Sequence, residues 1–193
     1  MIFDASELTI KLINGSPAIF PTDTLPALSA CPLNASKLWS LKKRPKRKPL
    51  ILMGISIEVL IKFISSESRE DALFMAEKYW PGALTMILPA TGGLVDYLNP
   101  GAQSLGLRVP KSKMAMELLG KVGPLATTSV NISGKKPALS FDQASQIFPE
   151  IPLLGPLPWE EPSGFASTVI SWHSKGAWKL IRKGTKIPIE ARL

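Results

Sequence analysis

Eighteen of the 193 residues are proline, about twice the usual ~5%, and no other feature constrains the fold as much. Each proline fixes φ near about −65° and removes one backbone donor, so helix interiors and central strands reject it. That argues against a helical bundle and for short strands and helices joined by set turns. With 193 residues and 45% apolar side chains, the chain can bury one substantial core but is too short for two large domains. The expectation is a single domain over residues 1–193.

Lys and Arg number 23 and Asp and Glu 15, a net charge of +8, which suits anionic partners. The one cysteine, Cys31, excludes an internal disulfide, and with one histidine, His173, it cannot build a structural zinc site. Such cysteine usage fits a reducing cytoplasm. No apolar run reaches the ~18–20 residues of a membrane span, and Asp4, Glu7 and Lys11 interrupt the N-terminal region where a signal peptide would be apolar. No internal repeat or low-complexity segment occurs.

Along the chain, Asp4 or Ser6 can cap a helix carrying Leu8, Leu12 and Ile13 on one face and ended by Gly15. Residues 17–20 read as a buried strand, and residues 34–43 as a helix capped by Asn34 and stopped by Pro45. Residues 49–54 form a second strand, and residues 56–64 and 68–80 two helices before Pro81-Gly82. Residues 84–88 and 105–109 are strand-like, with a helix at 113–121 before PLATTSVNISG. A helix at 140–148, a loop at 150–164 bordering a cleft, and β-type segments at 167–172 and 177–182 complete an α/β chain on one twisted sheet.

Residues 42–48, KKRPKRK, hold six cations in seven positions; taken alone, a solvated basic run explains them equally well. Pro45 pushes Arg44 out of helical backbone, so the segment is expected to leave as an extended fork with Lys42 and Arg44 on one side, suited to a polyphosphate or an RNA backbone. Arg108 and Arg182 interrupt apolar strands and must reach a solvated cleft or a partner. Together these cations suggest one anion-binding cavity. Thr22–Thr24, Thr127–Gly134 and Ser167-Thr168 add hydroxyls and an amide able to hold a small zwitterion or ribose and phosphate oxygens, though each alone is more often a turn or cap. There is no Walker A loop and no G-x-G-x-x-G. Cys31 has no evident base beside it, and His173 reads as structural.

In order, PTDT at 21–24, K-x-R-P…K-P-L at 42–50, W-P-G-A-L-T at 80–85, L-R-V-P at 107–110, S-x-N-x-S-G at 129–134, S-T-V at 167–169 and I-R-K-G at 181–184 resemble the YrdC-like family. They span most of the chain. The resemblance implies a single YrdC-like domain, an α/β fold whose twisted, curved mixed sheet, flanked by helices, encloses a basic cavity. It implies a nucleotidyltransferase that makes threonylcarbamoyl-AMP and pyrophosphate from L-threonine, bicarbonate and ATP. A second enzyme system then transfers the threonylcarbamoyl group to tRNA. Longer relatives carry a further C-terminal domain, and this chain resembles the short form.

Carried over by position, Thr24, Arg108, Thr127 and Ser167 would contact threonine or its carbamoyl group. Lys42, Arg44, Lys48, Ser104, Ser129, Asn131 and Arg182 would hold ATP, with Lys42 and Arg44 as catalytic cations. ATP is the implied substrate, with Mg²⁺ held mostly by its phosphates; no tightly bound organic cofactor and no protein metal site is expected. The chain departs from the family at Leu25-Pro26-Ala27-Leu28, where a Tyr-Gly-Leu is usual after one hydrophobic residue, at Met53 in place of a histidine, and at Pro137 in place of a serine. Met53 resembles the YciO-like branch, whereas Ser129 and Asn131 are kept. Two other readings are a protein that binds double-stranded RNA or tRNA without catalysis, and a YciO-like ATP-binding paralogue with another amino-acid substrate or none.

Overall fold

Asp4 opens the first helix as a capping box. Its Oδ1 accepts from the Ser6 and Glu7 amides at 2.8 and 2.9 Å, while Glu7 Oε2 accepts from the Asp4 amide at 3.1 Å, which satisfies donors that every helix start leaves free. Gly15, at φ +85°, follows the helix end and donates to Leu12 O. Residues 1–192 of the computed structural model are described. In chain order the strands are β1 (Ile2–Phe3), β2 (Ala18–Phe20), β3 (Ala27–Ala30), β4 (Ile51–Met53), β5 (Leu84–Pro89), β6 (Ser104–Arg108), β7 (Leu125–Ser129), β8 (Leu153–Leu154), β9 (Thr168–Ser174), β10 (Ala177–Arg182) and β11 (Ala191–Arg192). The helices are α1 (Ala5–Ile13), α2 (Ser36–Lys42), α3 (Ile57–Leu60), α4 (Arg69–Tyr79), α5 (Gly93–Leu98), α6 (Lys113–Val122) and α7 (Phe141–Ile147).

All the strands join one mixed sheet in the order β1-β8-β2-β3-β7-β4-β6-β5-β9-β10-β11. Its centre is antiparallel from β2 to β4, parallel at β4–β6 and β5–β9, and antiparallel at β6–β5 and β9–β10. Alternation along each strand gives the sheet two faces. On one, Leu52, Met86, Leu105 and Leu107 join Leu38 and Trp39 of α2, Met75 of α4 and Leu98 of α5 in the larger core. On the other, Phe20, Ala27, Met53 and Leu125 pack under α1 and α6 through Leu8, Leu12, Leu118 and Leu119. The α1/α6 layer covers only part of that face. The uncovered part is the floor of the cavity described below.

Several expectations change. The second helix starts at Ser36 after a 3₁₀ turn at Pro32–Asn34, so Asn34 is not its cap. Residues 43–48 are not an extended fork. Lys43 closes α2 in left-handed backbone (φ 49°), the Arg44 amide reaches back to Trp39 O at 2.8 Å, and the Lys48 amide bonds Pro45 O at 3.0 Å. The helix is thus closed by a left-handed cap of the Schellman type, whose local hydrogen bonds outcompete extension. Residues 56–64 hold only the short α3 and a 3₁₀ turn at Ile61–Phe63. Residues 150–164 are not all surface loop: residues 151–155 are buried, and β8 is wedged between β1 and β2. β3, which sequence patterning misses, is buried along its length.

Candidate active site

Arg108 ends β6 at 3% exposure. A guanidinium there must be bonded, and it is: Nε donates to Gly82 O at 3.1 Å, Nη1 to Thr24 Oγ1 at 2.7 Å and Nη2 to Asp23 Oδ1 at 2.7 Å. Asp23 Oδ1 also accepts the Lys111 amide at 3.0 Å. Burial lowers the Arg108 pKa and the Asp23 carboxylate opposes that shift; an arginine remains a cation throughout.

Arg182 ends β10, and its Nε and Nη2 donate to Ser167 O at 3.1 and 2.9 Å, with Nη2 also 3.2 Å from Ser167 Oγ. Ser167 Oγ lies 2.8 Å from Thr85 Oγ1. Gly184 stabilises this corner from behind. A Cβ at Gly184 would overlap Thr168 N and Ala166 O, so only glycine lets the backbone pass this close. Arg44 folds over its own turn, Nε to Lys48 O at 3.2 Å and Nη2 to Pro49 O at 3.0 Å. Burial, then the charge of Arg182, lowers its pKa.

Arg44, Arg108 and Arg182 line one open cavity of about 130 Å³ together with Thr24, Thr127, Thr128, Ser129 and Ser167. Its apolar wall is Leu25, Pro26, Ala27, Pro49, Ile51 and Met53. No carboxylate, histidine, cysteine or aromatic ring is among the lining residues. The departures Pro26, Ala27 and Met53 therefore all fall on this wall, and Pro137 does not.

The remaining expected residues stand apart. Lys42 is 1% exposed and sits behind the lining, its Nζ donating to Ser129 O and, at 2.6 Å, to Asn131 Oδ1. Asn131 Oδ1 also accepts from Ser129 Oγ at 2.8 Å, and its Nδ2 donates to Ile132 O and Lys135 O at 2.9 and 2.7 Å. Burial, then the charge of Arg44, lowers the Lys42 pKa to about 7. Lys48 is exposed and contributes its carbonyl, which also accepts Trp39 Nε1 at 3.0 Å. Ser104 begins β6 at the end remote from Arg108 and is tied to Asn99, outside the lining. Cys31 donates to Leu12 O, with its thiol pKa raised by burial, and His173 is exposed.

Two residues of the site carried no assigned role in the sequence reading: Asp23, which orients Arg108, and Thr85, which fixes the Ser167 hydroxyl. Both lie inside motifs quoted above, but nothing in a motif says which arginine or serine its members touch. Among the described residues no group of three or more His, Cys, Asp or Glu is placed to hold a metal, and no helix is long and apolar enough to cross a membrane.

The family model for Sua5, YciO and YrdC proteins, described as telomere recombination, matches residues 11–184. The threonylcarbamoyl-AMP synthase of Idiomarina loihiensis is 32% identical over 150 residues, which are 75% of this chain and 81% of that protein. The crystal structure of P. abyssi Sua5 complexed with L-threonine matches with a TM-score of 0.87 at 26% identity, over 95% of this chain and 57% of that one. The chain thus spans little more than half of that longer protein. With E. coli YciO it shares the fold, at a TM-score of 0.81 and 17% identity over 98% of this chain and 96% of that one.

Proposed function

This chain belongs to the Sua5/YciO/YrdC family, and on that premise we propose that it makes threonylcarbamoyl-AMP and pyrophosphate from L-threonine, bicarbonate and ATP. The observation that carries the reading is the convergence of three arginines, from the turn after α2 and the ends of β6 and β10, on a cavity with no lining carboxylate. Such a cavity favours a polyanion, and its serine and threonine hydroxyls have no lining carboxylate or histidine to activate them as nucleophiles.

The chemistry needs little else. The threonine amine and bicarbonate lose water to give a carbamate; a carbamate oxygen attacks the α-phosphorus as the bond to the β-phosphate breaks, and pyrophosphate leaves. Orientation and neutralisation of phosphate charge lower that barrier. Arg44 and Arg182 meet the phosphates, and Ser129 and Asn131, held by Lys42, form the adjoining rim. Arg108 has five N–H donors, of which the described bonds use three; two remain, enough for a bidentate grip on the amino-acid carboxylate beside Thr24 and Ser167. The cavity is smaller than the ~300–1,000 Å³ of a pocket for a drug-sized ligand, so the amino acid enters it and the nucleotide lies across its mouth. Because the lining lacks carboxylates, Mg²⁺ arriving with ATP is left to the phosphate oxygens, and no step here runs through it.

The test is pyrophosphate release from ATP that depends on both threonine and bicarbonate. Arg44→Ala and Arg182→Ala are each expected to lower kcat/KM by roughly 100-fold, in line with loss of one preorganised electrostatic contact. No turnover by the wild-type protein would sink the reading. A second reading, binding of tRNA or double-stranded RNA by the same protein, rests on Lys43, Lys46, Arg47 and Lys48, which are exposed and outside the cavity lining. Its signature is RNA affinity that falls steeply with salt and is indifferent to threonine.

A further inference from the structure

Thr168 opens β9 next to Ser167 and is wholly buried. Ser167 lines the cavity, and successive side chains of an extended backbone point to opposite sides, so Thr168 turns away from it. Packing alone would be served as well by valine, which has the same shape, because a buried hydroxyl has to be bonded. The Thr168 hydroxyl is bonded twice. Its Oγ1 donates to Lys186 O at 2.6 Å and accepts from the Gly184 amide at 3.1 Å, which uses its one proton and a lone pair. Both partners lie in the stretch 183–187 that follows Arg182, and among the described residues the backbone of that stretch makes no other hydrogen bond. Arg182 itself is exposed and forms the last pair of the β9–β10 ladder, opposite Val169 and just past an irregularity. The chain therefore grips the Ser167-Thr168 pair from both sides, through the Arg182 guanidinium at Ser167 and through Gly184 and Lys186 at Thr168.

We propose that Thr168 is a positioning residue of this site: its hydroxyl clamps the segment after β10 so that the Arg182 guanidinium stays against Ser167 and faces the phosphates. The inference rests on the ATP-dependent reaction proposed above and deepens it by assigning what holds one of its cations. An exposed arginine at the end of a ladder is not enclosed by packing, so its place is set by the backbone on either side of it. The ladder supplies one side and Thr168 the other. Without the clamp the ladder end frays, and a displacement of about 1 Å at a group that meets developing charge costs up to roughly 100-fold in rate.

The experiment measures kcat/KM for ATP, at saturating threonine and bicarbonate, and the rise in Tm that ATP produces, in wild type and in Thr168→Val, Thr168→Ala and Thr168→Ser. Thr168→Val keeps the shape and removes both bonds; it is expected to lower kcat/KM by roughly 10- to 100-fold and to lose most of the ATP-induced rise. Thr168→Ser keeps the hydroxyl and should restore most of both. A role in stability alone predicts instead a lower Tm without ligand and a wild-type kcat/KM for each folded molecule. That result overturns the inference, as does a serine variant no better than the valine one. If Thr168→Val does not fold, Thr168→Ala decides, since it leaves room for water at the Gly184 amide and the Lys186 carbonyl; wild-type kinetics there overturn the clamp. A wild type that binds ATP without turnover overturns the proposed reaction alone, and the rise in Tm still decides the clamp. A wild type that neither binds nor turns over ATP overturns both.

Discussion

Lys42 is held by two neutral oxygens and, among the described residues, forms no ion pair, so its charge is carried at a cost set by burial and, after it, by the charge of Arg44. Its folded-state pKa of about 7 lies below the ordinary 10.5. Between those values the unfolded chain binds more protons than the folded one, so stability rises with pH across that window, by at most about 1.4 kcal/mol per pH unit. Below pH 7 both states carry the proton and the full cost of the buried ammonium is present. Lys42→Met should therefore stabilise the protein more at pH 6 than at pH 9, and should flatten the pH dependence of the urea midpoint. A variant whose stability tracks wild type at every pH would contradict this. The basic run announced Lys42 as a cation, but its sequence could not reveal that the side chain turns inward behind Ser129. That turn depends on α2 packing beside β7, whose partners lie 87 and 89 positions away.

At the scale of elements, the legible ones were those with a strong period or a punctuating residue. Asp4 and Gly15 bracket α1, Ser112 and Ser140 cap α6 and α7, and Leu105 and Leu107 mark β6. β3, with sequence ALSA, has no β-branched side chain, and it shows no alternation because both of its faces are buried. β8 has two residues, and only its pairing with β1 and β2 makes it a strand. The β10–Gly184 corner shows an element acting on the site through its backbone. Gly184→Ala must push the Ala166–Thr168 segment away, which displaces Ser167 and the bonds it receives from Arg182. The expected cost is about 1–3 kcal/mol of stability and at least a tenfold loss of kcat/KM for threonine. Denaturant titration alongside pyrophosphate release measures both, and an Ala variant with wild-type turnover would show that the corner is not rigid.

For the whole molecule, the +8 charge could not by itself distinguish a surface that attracts nucleic acid from a cavity that attracts a nucleotide. Three arginines on one cavity settle where part of that charge resides, and the arrangement exists only because α2, β6 and β10 meet around a sheet that no local pattern encodes. A ligand that binds this cavity stabilises the entire fold. ATP at about 100 times its Kd adds about 2.7 kcal/mol, a Tm rise of roughly 5–10 °C for a domain of this size. Arg182→Ala should lose most of that rise, while an equal shift in both proteins would place the nucleotide elsewhere. The strand order has a consequence of another kind. Among the described residues the two margins of the sheet are β1 and β11, each only two residues long, so little free backbone is offered for one molecule to add strands to the next. Removing β11 would uncover Trp178 and Lys179, the two residues of β10 that it pairs, and so lengthen the backbone edge offered to another molecule.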